Sequence, residues 1–320
     1  MRAVLCRQFG PPASLVLAEV PSPEPGPGEV TVAVKACGVN FVDALMIEGK
    51  YQERAAFPFS PGAEVAGLVA RIGPGVEGVR LNDRVMAFCL TGGFAEEVVV
   101  RADRLSPLPG AMDFIRGAAL LIAYGTAAHA LVDRGRLRTG EKLLVLGAAG
   151  GAGTAAIAVG KMLGAEVIAA ASTEEKLSYC RESGADHLIN VTTHDLRKRL
   201  GELTDGYGVD VVFDAVGGAL SETALRSTAR NGRLLVVGFA SGEIPRIALN
   251  LPLLRGCSIV GVLWAPCLRN GVEGRRSFLD LIADGKLQPR ISRTFPLEQA
   301  ADAILELKER RALGKIVVIP

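Results

Sequence analysis

The sequence predicts an α/β protein, a doubly wound parallel sheet joined to a β-rich unit. Three observations predict it. From Glu141 onward, short apolar strands alternate with helices, the pattern of a parallel sheet covered on both faces. A glycine-rich turn, G-A-A-G-G-A-G at 147–153, sits between the first of these strands and its helix. The first hundred residues instead carry short β-branched runs divided by Gly/Pro turns.

In chain order, Val30–Lys35, Glu64–Ile72 and Glu96–Val100 read as strands. The segment 21–28 (P-S-P-E-P-G-P-G), Gly73-Pro74-Gly75 and Gly92-Gly93 are the turns between them. Asp113–Leu131 is rich in alanine and leucine and predicts helix. The alternating region follows. Its strands are Lys142–Leu146, Glu166–Ala170, His187–Ile189, Val209–Asp214, Arg233–Val237 and Ser258–Leu263. Its helices are Thr154–Leu163, Glu174–Ser183, Asp195–Leu203 and Leu220–Ala229. The tail predicts helices at Ser277–Ala283 and Leu297–Leu307 and a last strand, Lys315–Ile319.

Composition narrows the function. The 320 residues leave room for two domains of about 100–200 residues each. Lys and Arg total 36 against 34 Asp and Glu, so the net charge is +2 and offers no field for nucleic acid or an anionic membrane. A hydrophobic share of 49% with 22% charged residues excludes global disorder. Cys6, Cys37, Cys89, Cys180, Cys257 and Cys267 include no C-x-x-C pair, which predicts reduced thiols in a cytoplasmic protein. The N-terminal apolar run is too short for a signal peptide, so the sequon Asn190-Val191-Thr192 is read as chance. Leu143–Gly160 carries no charge, but its glycines fit strand, turn and buried helix better than a membrane span.

The glycine turn carries the sharpest chemistry. Glycines let a backbone approach a pyrophosphate, and the following helix offers N–H donors and a positive dipole end. Aligned on Gly150 and Gly153, the first position of G-x-G-x-x-G is Ala148. A binder of the unphosphorylated cofactor NAD places an acid about 20 residues further on. Here that place reads Ala169-Ala170-Ala171-Ser172-Thr173. The Ser172 hydroxyl and Lys176 ammonium favour a 2′-phosphate, hence NADPH, with Glu174 and Glu175 partly offsetting Lys176.

The segments G-V-N-F-V-D at 38–43, P-G-A-E-V-A-G at 61–67, A-A-G-G-A-G at 148–153, V-D-V-V-F-D-A-V-G-G at 209–218 and G-K-I-V-V at 314–318 form one set. With them the whole chain resembles the zinc-free medium-chain dehydrogenases/reductases, in the quinone oxidoreductase (zeta-crystallin-like) branch. The resemblance implies a GroES-like catalytic domain at 1–122, a Rossmann domain at 123–265, and a return to the catalytic domain at 266–320. It places the substrate in the cleft between the two. It implies that Ala149, Gly150, Gly151 and Ala152 hold the pyrophosphate and that Ser172 and Lys176 read the 2′-phosphate. Phe239, Ser241, Leu263 and Trp264 would flank the nicotinamide, with Thr126, Val216 and Lys315 as further cofactor contacts. Asn40 and Tyr51 would face the substrate.

The zinc-binding branch has Cys and His-Glu as ligands where this chain has Asn40 and Ala63-Glu64, and an amide and a methyl group do not replace thiolate and imidazole. No metal is expected. Val191 stands where bacterial quinone oxidoreductases have a tyrosine on the 2′-phosphate, which weakens that grip. The run 40–51 also resembles the N-x-x-D-x-x-x-I-x-G-x-Y of mitochondrial enoyl-thioester reductases, where the matching tyrosine assists protonation. Tyr51 is therefore a proton donor or a pocket wall. Asp43 is expected to brace a loop, and Cys37 to be a small buried hydrophobe.

Three functions are open at this stage. They are an NADPH-dependent reductase of quinones or α,β-unsaturated carbonyls, an enoyl-thioester reductase, and a non-enzymatic cofactor-binding protein. The apolar strand 258–263 ends the sheet as an edge, which invites pairing and predicts a homodimer.

Overall fold

The computed structural model describes residues 1–110 and 112–320. The chain divides into two units. One is built from both chain ends, Met1–Ile122 and Ala265–Pro320; the other is the central stretch Ala123–Trp264.

The terminal unit begins with β1 (Arg2–Leu5), β2 (Val16–Glu19), β3 (Glu29–Val39), β4 (Glu64–Ile72), β5 (Arg84–Phe88), β6 (Glu97–Arg101) and β7 (Leu105–Pro107). The central unit holds β8 (Lys142–Leu146), β9 (Glu166–Ala171), β10 (His187–Asn190), β11 (Val209–Asp214), β12 (Thr228–Val236) and β13 (Ser258–Gly261). The tail returns as β14 (Ile291–Pro296) and β15 (Lys315–Ile319).

In the terminal unit β1 and β2 pair antiparallel, while the main sheet runs β14-β15-β3-β4-β5-β7 with β6 also on β3. The C-terminal strand β15 thus lies directly on β3, with Val317 opposite Gly38. Gly38 admits no side chain, because a Cβ would lie 2.1 Å from the Ala118 carbonyl. One core spans both chain ends, from Val30, Val32 and Ile47 to Leu297, Ile304 and Ile316. The buried Arg275 guanidinium ties the returning segment down, donating to the carbonyls of Leu268, Asp103 and Leu105.

The central unit is a parallel sheet ordered β10-β9-β8-β11-β12-β13. That is the doubly wound order whose ligand crevice opens at the carboxyl ends of the strands, where the order reverses between β8 and β11. Leu143, Leu144, Val145 and Leu146 are fully buried, as expected of a strand covered on both faces. Thr173 and Asp195 cap the helices Glu174–Glu182 and Leu196–Leu203, accepting from Lys176 N and Lys198 N.

Among the differences from the sequence reading, three have a visible cause. The helix expected over Asp113–Leu131 is interrupted by wide π-turns at Leu120–Tyr124 and His129–Arg134. Ile122 N donates to the Glu64 carboxylate, so the regular ladder breaks there. A helix absent from that reading, Phe41–Ile47, follows β3 and opens with a capping box between Asn40 and Asp43. β12 starts at Thr228, inside the helix expected to reach Ala229, because Thr228 registers against Val209.

Candidate cofactor and catalytic sites

The glycine turn closes the carboxyl end of β8. Gly147 takes a left-handed conformation (φ +66°), which glycine adopts without strain. Gly153 is the packing glycine: a Cβ there would meet Gly147 O at 2.4 Å and Ala148 Cα at 2.6 Å. Gly150 differs, since its Cβ position meets only Gly147 O, at 3.5 Å. Gly150 is the N-cap of the helix Gly151–Met162, and no side chain caps it. The first-turn N–H groups therefore have no side-chain cap and a positive dipole end behind them, which suits a pyrophosphate. Gly150, Gly151 and Ala152 are half-buried on this turn, and Ala149 is buried beneath it.

The neighbouring strand ends carry the residues expected to read the 2′-phosphate. Lys176 Nζ lies 3.4 Å from Ser172 Oγ, so the two expected readers of a 2′-phosphate stand together at the end of β9. Asn190, at the end of β10, donates to Glu174 Oε1 at 2.7 Å. Thr192 Oγ1 lies 2.7 Å from Asn190 Oδ1 and 3.1 Å from Ser172 O, and its single proton serves one of them at a time. Glu174 was counted only as an offsetting charge, and Asn190 and Thr192 only as a sequon. The signal that finds them is topological: β9 and β10 are parallel neighbours, so their carboxyl ends converge.

Val216, Phe239 and Ser241 also come together. Ser241 N donates to Val216 O at 2.8 Å, and Gly217 leaves the room that Phe239 fills, with Phe239 Cδ1 2.9 Å from its Cβ position. Asp214 holds this turn by accepting from the N–H groups of Val216 and Gly217. Trp264 is buried on Gly125, where any Cβ would lie 2.5 Å from the indole, and its ring centroid is 5.6 Å from that of His129. Thr126 follows Gly125 and is half-buried, whereas Leu263 is 64% exposed.

In the terminal unit, Asn40 and Lys315 do something other than what was expected of them. Asn40 Nδ2 donates to Gly38 O at 3.1 Å and Glu64 Oε1 at 2.8 Å, and its Oδ1 accepts from Lys315 Nζ at 2.7 Å. Both amide hydrogens and one lone pair of Oδ1 are spent within this network, which braces the loop. Lys315 spends its ammonium on Val39 O, Asn40 Oδ1 and Glu64 Oε1. Three donors with three acceptors leave none for a cofactor, so Lys315 is a buried structural cation. The acceptors that converge beside Asn40 thus already hold an ammonium. Among the described residues no group of three His, Cys, Asp or Glu side chains is arranged to hold a metal ion.

Asp43 braces the same corner, accepting from Asn40 N at 2.7 Å and Gly62 N at 3.2 Å. Burial pushes its carboxyl up to about 7, against the pull of those two N–H donors and of Lys315. Burial likewise pushes the Cys37 thiol well above its ordinary value, which suits an inert hydrophobe. Tyr51 is half-buried against the core of this unit. Burial raises its phenol pKa, Glu53 adds to the rise, and Arg269 opposes it. Arg269 pairs with Glu53 at 2.6 Å. Arg54 lies over the Phe9 ring, 5.9 Å from its centroid. A surface depression lined by Asp113, Arg116, Ile291 and Arg293 contains none of these residues.

Residues 26–110 match the family described as alcohol dehydrogenase GroES-like domain, and residues 151–280 the family described as zinc-binding dehydrogenase. The chain is 39% identical to the quinone oxidoreductase-like protein 2 homolog of Nematostella vectensis, over 99% of this chain and 88% of that one. It superposes on the quinone oxidoreductase of Pseudomonas syringae with a TM-score of 0.92 and 31% identity, covering 100% and 99% of the two chains. It superposes on the Escherichia coli quinone oxidoreductase complexed with NADPH with a TM-score of 0.91 and 28% identity, over 100% of both.

Proposed function

The chain belongs to the zinc-free quinone oxidoreductase branch of the medium-chain dehydrogenase/reductase family, and from that premise we propose that it is an NADPH-dependent reductase of quinones or α,β-unsaturated carbonyl compounds. Bound NADPH supplies the hydride. The uncapped helix at Gly150–Ala152 holds the pyrophosphate, and Ser172 with Lys176 receives the 2′-phosphate. Val216, Phe239 and Ser241, with Thr126, Leu263 and Trp264, shape the nicotinamide end. Tyr51 hydrogen-bonds the oxygen on which negative charge develops. The observation that carries this reading is the pairing of an uncapped helix N-terminus with the Ser172–Lys176 pair one strand away. Oxidation of NADPH and NADH by 1,4-benzoquinone tests it through the loss of nicotinamide absorbance. Oxidation of neither above background removes it.

A second reading, an enoyl-thioester reductase, has one observation in its favour. The half-buried Tyr51 carries a phenol that is protonated at neutral pH and can hand its proton to an enolate. Tyr51→Phe separates the two. Loss of crotonyl-CoA reduction with an unchanged quinone rate supports the second reading.

The assembly proposed is a homodimer through β13. This strand is the outer strand of the central sheet, and Ile259 and Leu263 stand 38% and 64% exposed on or just beyond it. Leu249, Leu253 and Leu254 beside it are 81%, 78% and 78% exposed. Arg134 Nε takes the Gly261 carbonyl of this strand, and no further strand adds to it among the described residues, so an edge with exposed apolar side chains fits a second copy of the same edge.

A further inference from the structure

At the ribose end of the proposed nucleotide site, groups of both signs lie within a few residues of Ser172. Lys176 Nζ is on its hydroxyl. Two residues along from Ser172, Glu174 is held at 2.7 Å by Asn190, a residue only 6% exposed. Although Glu174 itself is exposed, it is not a freely solvated side chain. Without it, a buried Asn190 N–H would lack this partner. Thr192 closes the ring by bridging Asn190 and Ser172.

An acid in this part of a doubly wound sheet ordinarily meets a ribose hydroxyl and repels a phosphate. In this chain the acid has moved from the strand end to the first turn of the next helix, while Lys176 lies on the same turn. Resting on the NADPH reading above, we infer that Glu174, positioned by Asn190, is a counter-selecting residue. Its fixed carboxylate limits the advantage that Lys176 gives a 2′-phosphate over a 2′-hydroxyl. The protein then accepts NADPH with a moderated preference over NADH. Glu175, also exposed on this turn, lacks the Asn190 anchor and serves as the control.

The test measures equilibrium binding of NADPH and NADH by nicotinamide fluorescence, with 2′-phospho-AMP and AMP compared by calorimetry. Glu174→Gln keeps the Asn190 hydrogen bond and removes the charge. It should tighten NADPH by about 3- to 10-fold at low salt, leave NADH within about two-fold, and lose most of the gain at high salt. Glu175→Gln should change neither by more than about two-fold. An equal change for both cofactors, no change, or a matching effect from Glu175→Gln overturns the inference. Lys176→Ala distinguishes the deeper failure. If it weakens both cofactors equally, or if the wild type does not bind NADPH, the cofactor reading falls and this inference with it.

Discussion

The Lys315 ammonium lies 2.8 Å from Glu64 Oε1, with the two side chains 3% and 1% exposed. The pair joins the last strand of the chain to β4, and through Asn40 it sets the entry to the helix Phe41–Ile47. Glu64 also takes the N–H of Ile122 through its other oxygen. Removing one partner would strand the other charge without water. Lys315→Met should therefore destabilise the terminal unit by about 3–5 kcal/mol, and adding Glu64→Gln should recover part of the loss. Denaturant unfolding of the single and double variants measures both. Equal stability of Lys315→Met and wild type would show that the pair carries no weight.

Asp43 makes stability depend on pH in a predictable direction. Its folded pKa, about 7, lies above its ordinary value near 3.8, so between those limits the folded state holds a proton that the unfolded chain has released. Stability therefore falls as pH rises through that window, by on the order of 4 kcal/mol from this group. Asp43→Asn removes the titration. Relative to this variant, the wild type should be more stable at about pH 5 than at about pH 8. Urea midpoints for both proteins at each pH measure the difference. A gap that does not change with pH refutes the assignment.

The two glycines of the cofactor turn should separate folding from binding. Gly153→Ala drives a methyl group into Gly147 O and Ala148, and should cost roughly 1–3 kcal/mol of stability. Gly150→Ala has room for its methyl, so its melting curve should match the wild type. That methyl would nonetheless stand over the uncapped N–H groups and weaken NADPH binding at least about ten-fold. Thermal melting and fluorescence titration of each variant check the pair. Normal NADPH affinity in Gly150→Ala would place the pyrophosphate elsewhere.

The edge strand can be tested by charge. Light scattering should give a dimer at micromolar concentration, and Ile259→Lys or Leu253→Lys should weaken it at least about ten-fold. These positions are more exposed than Val260 and Val262, both half-buried. A monomeric wild type refutes the dimer, and a dimer indifferent to both substitutions moves the interface.

By itself the sequence determined the periodic parts. β8, β11 and β15 carry the bounds read from their apolar runs, because each run is closed at both ends by a charged residue, a glycine or a proline. The glycine turn and the Ser172–Lys176 pair were legible because each is local, with all its members within a few residues. Tertiary structure alone decided the polar networks. Asn40 could be read as facing a substrate because its partners Glu64 and Lys315 lie 24 and 275 residues away and meet it only when β15 lies on β3. Glu174 could be read only as a charge, since its anchor Asn190 sits on the neighbouring strand 16 residues on. Spacing along a chain records which face of its own element a side chain occupies. Which buried donor meets which acceptor depends on the order of strands in the sheet, and only the folded chain fixes that order.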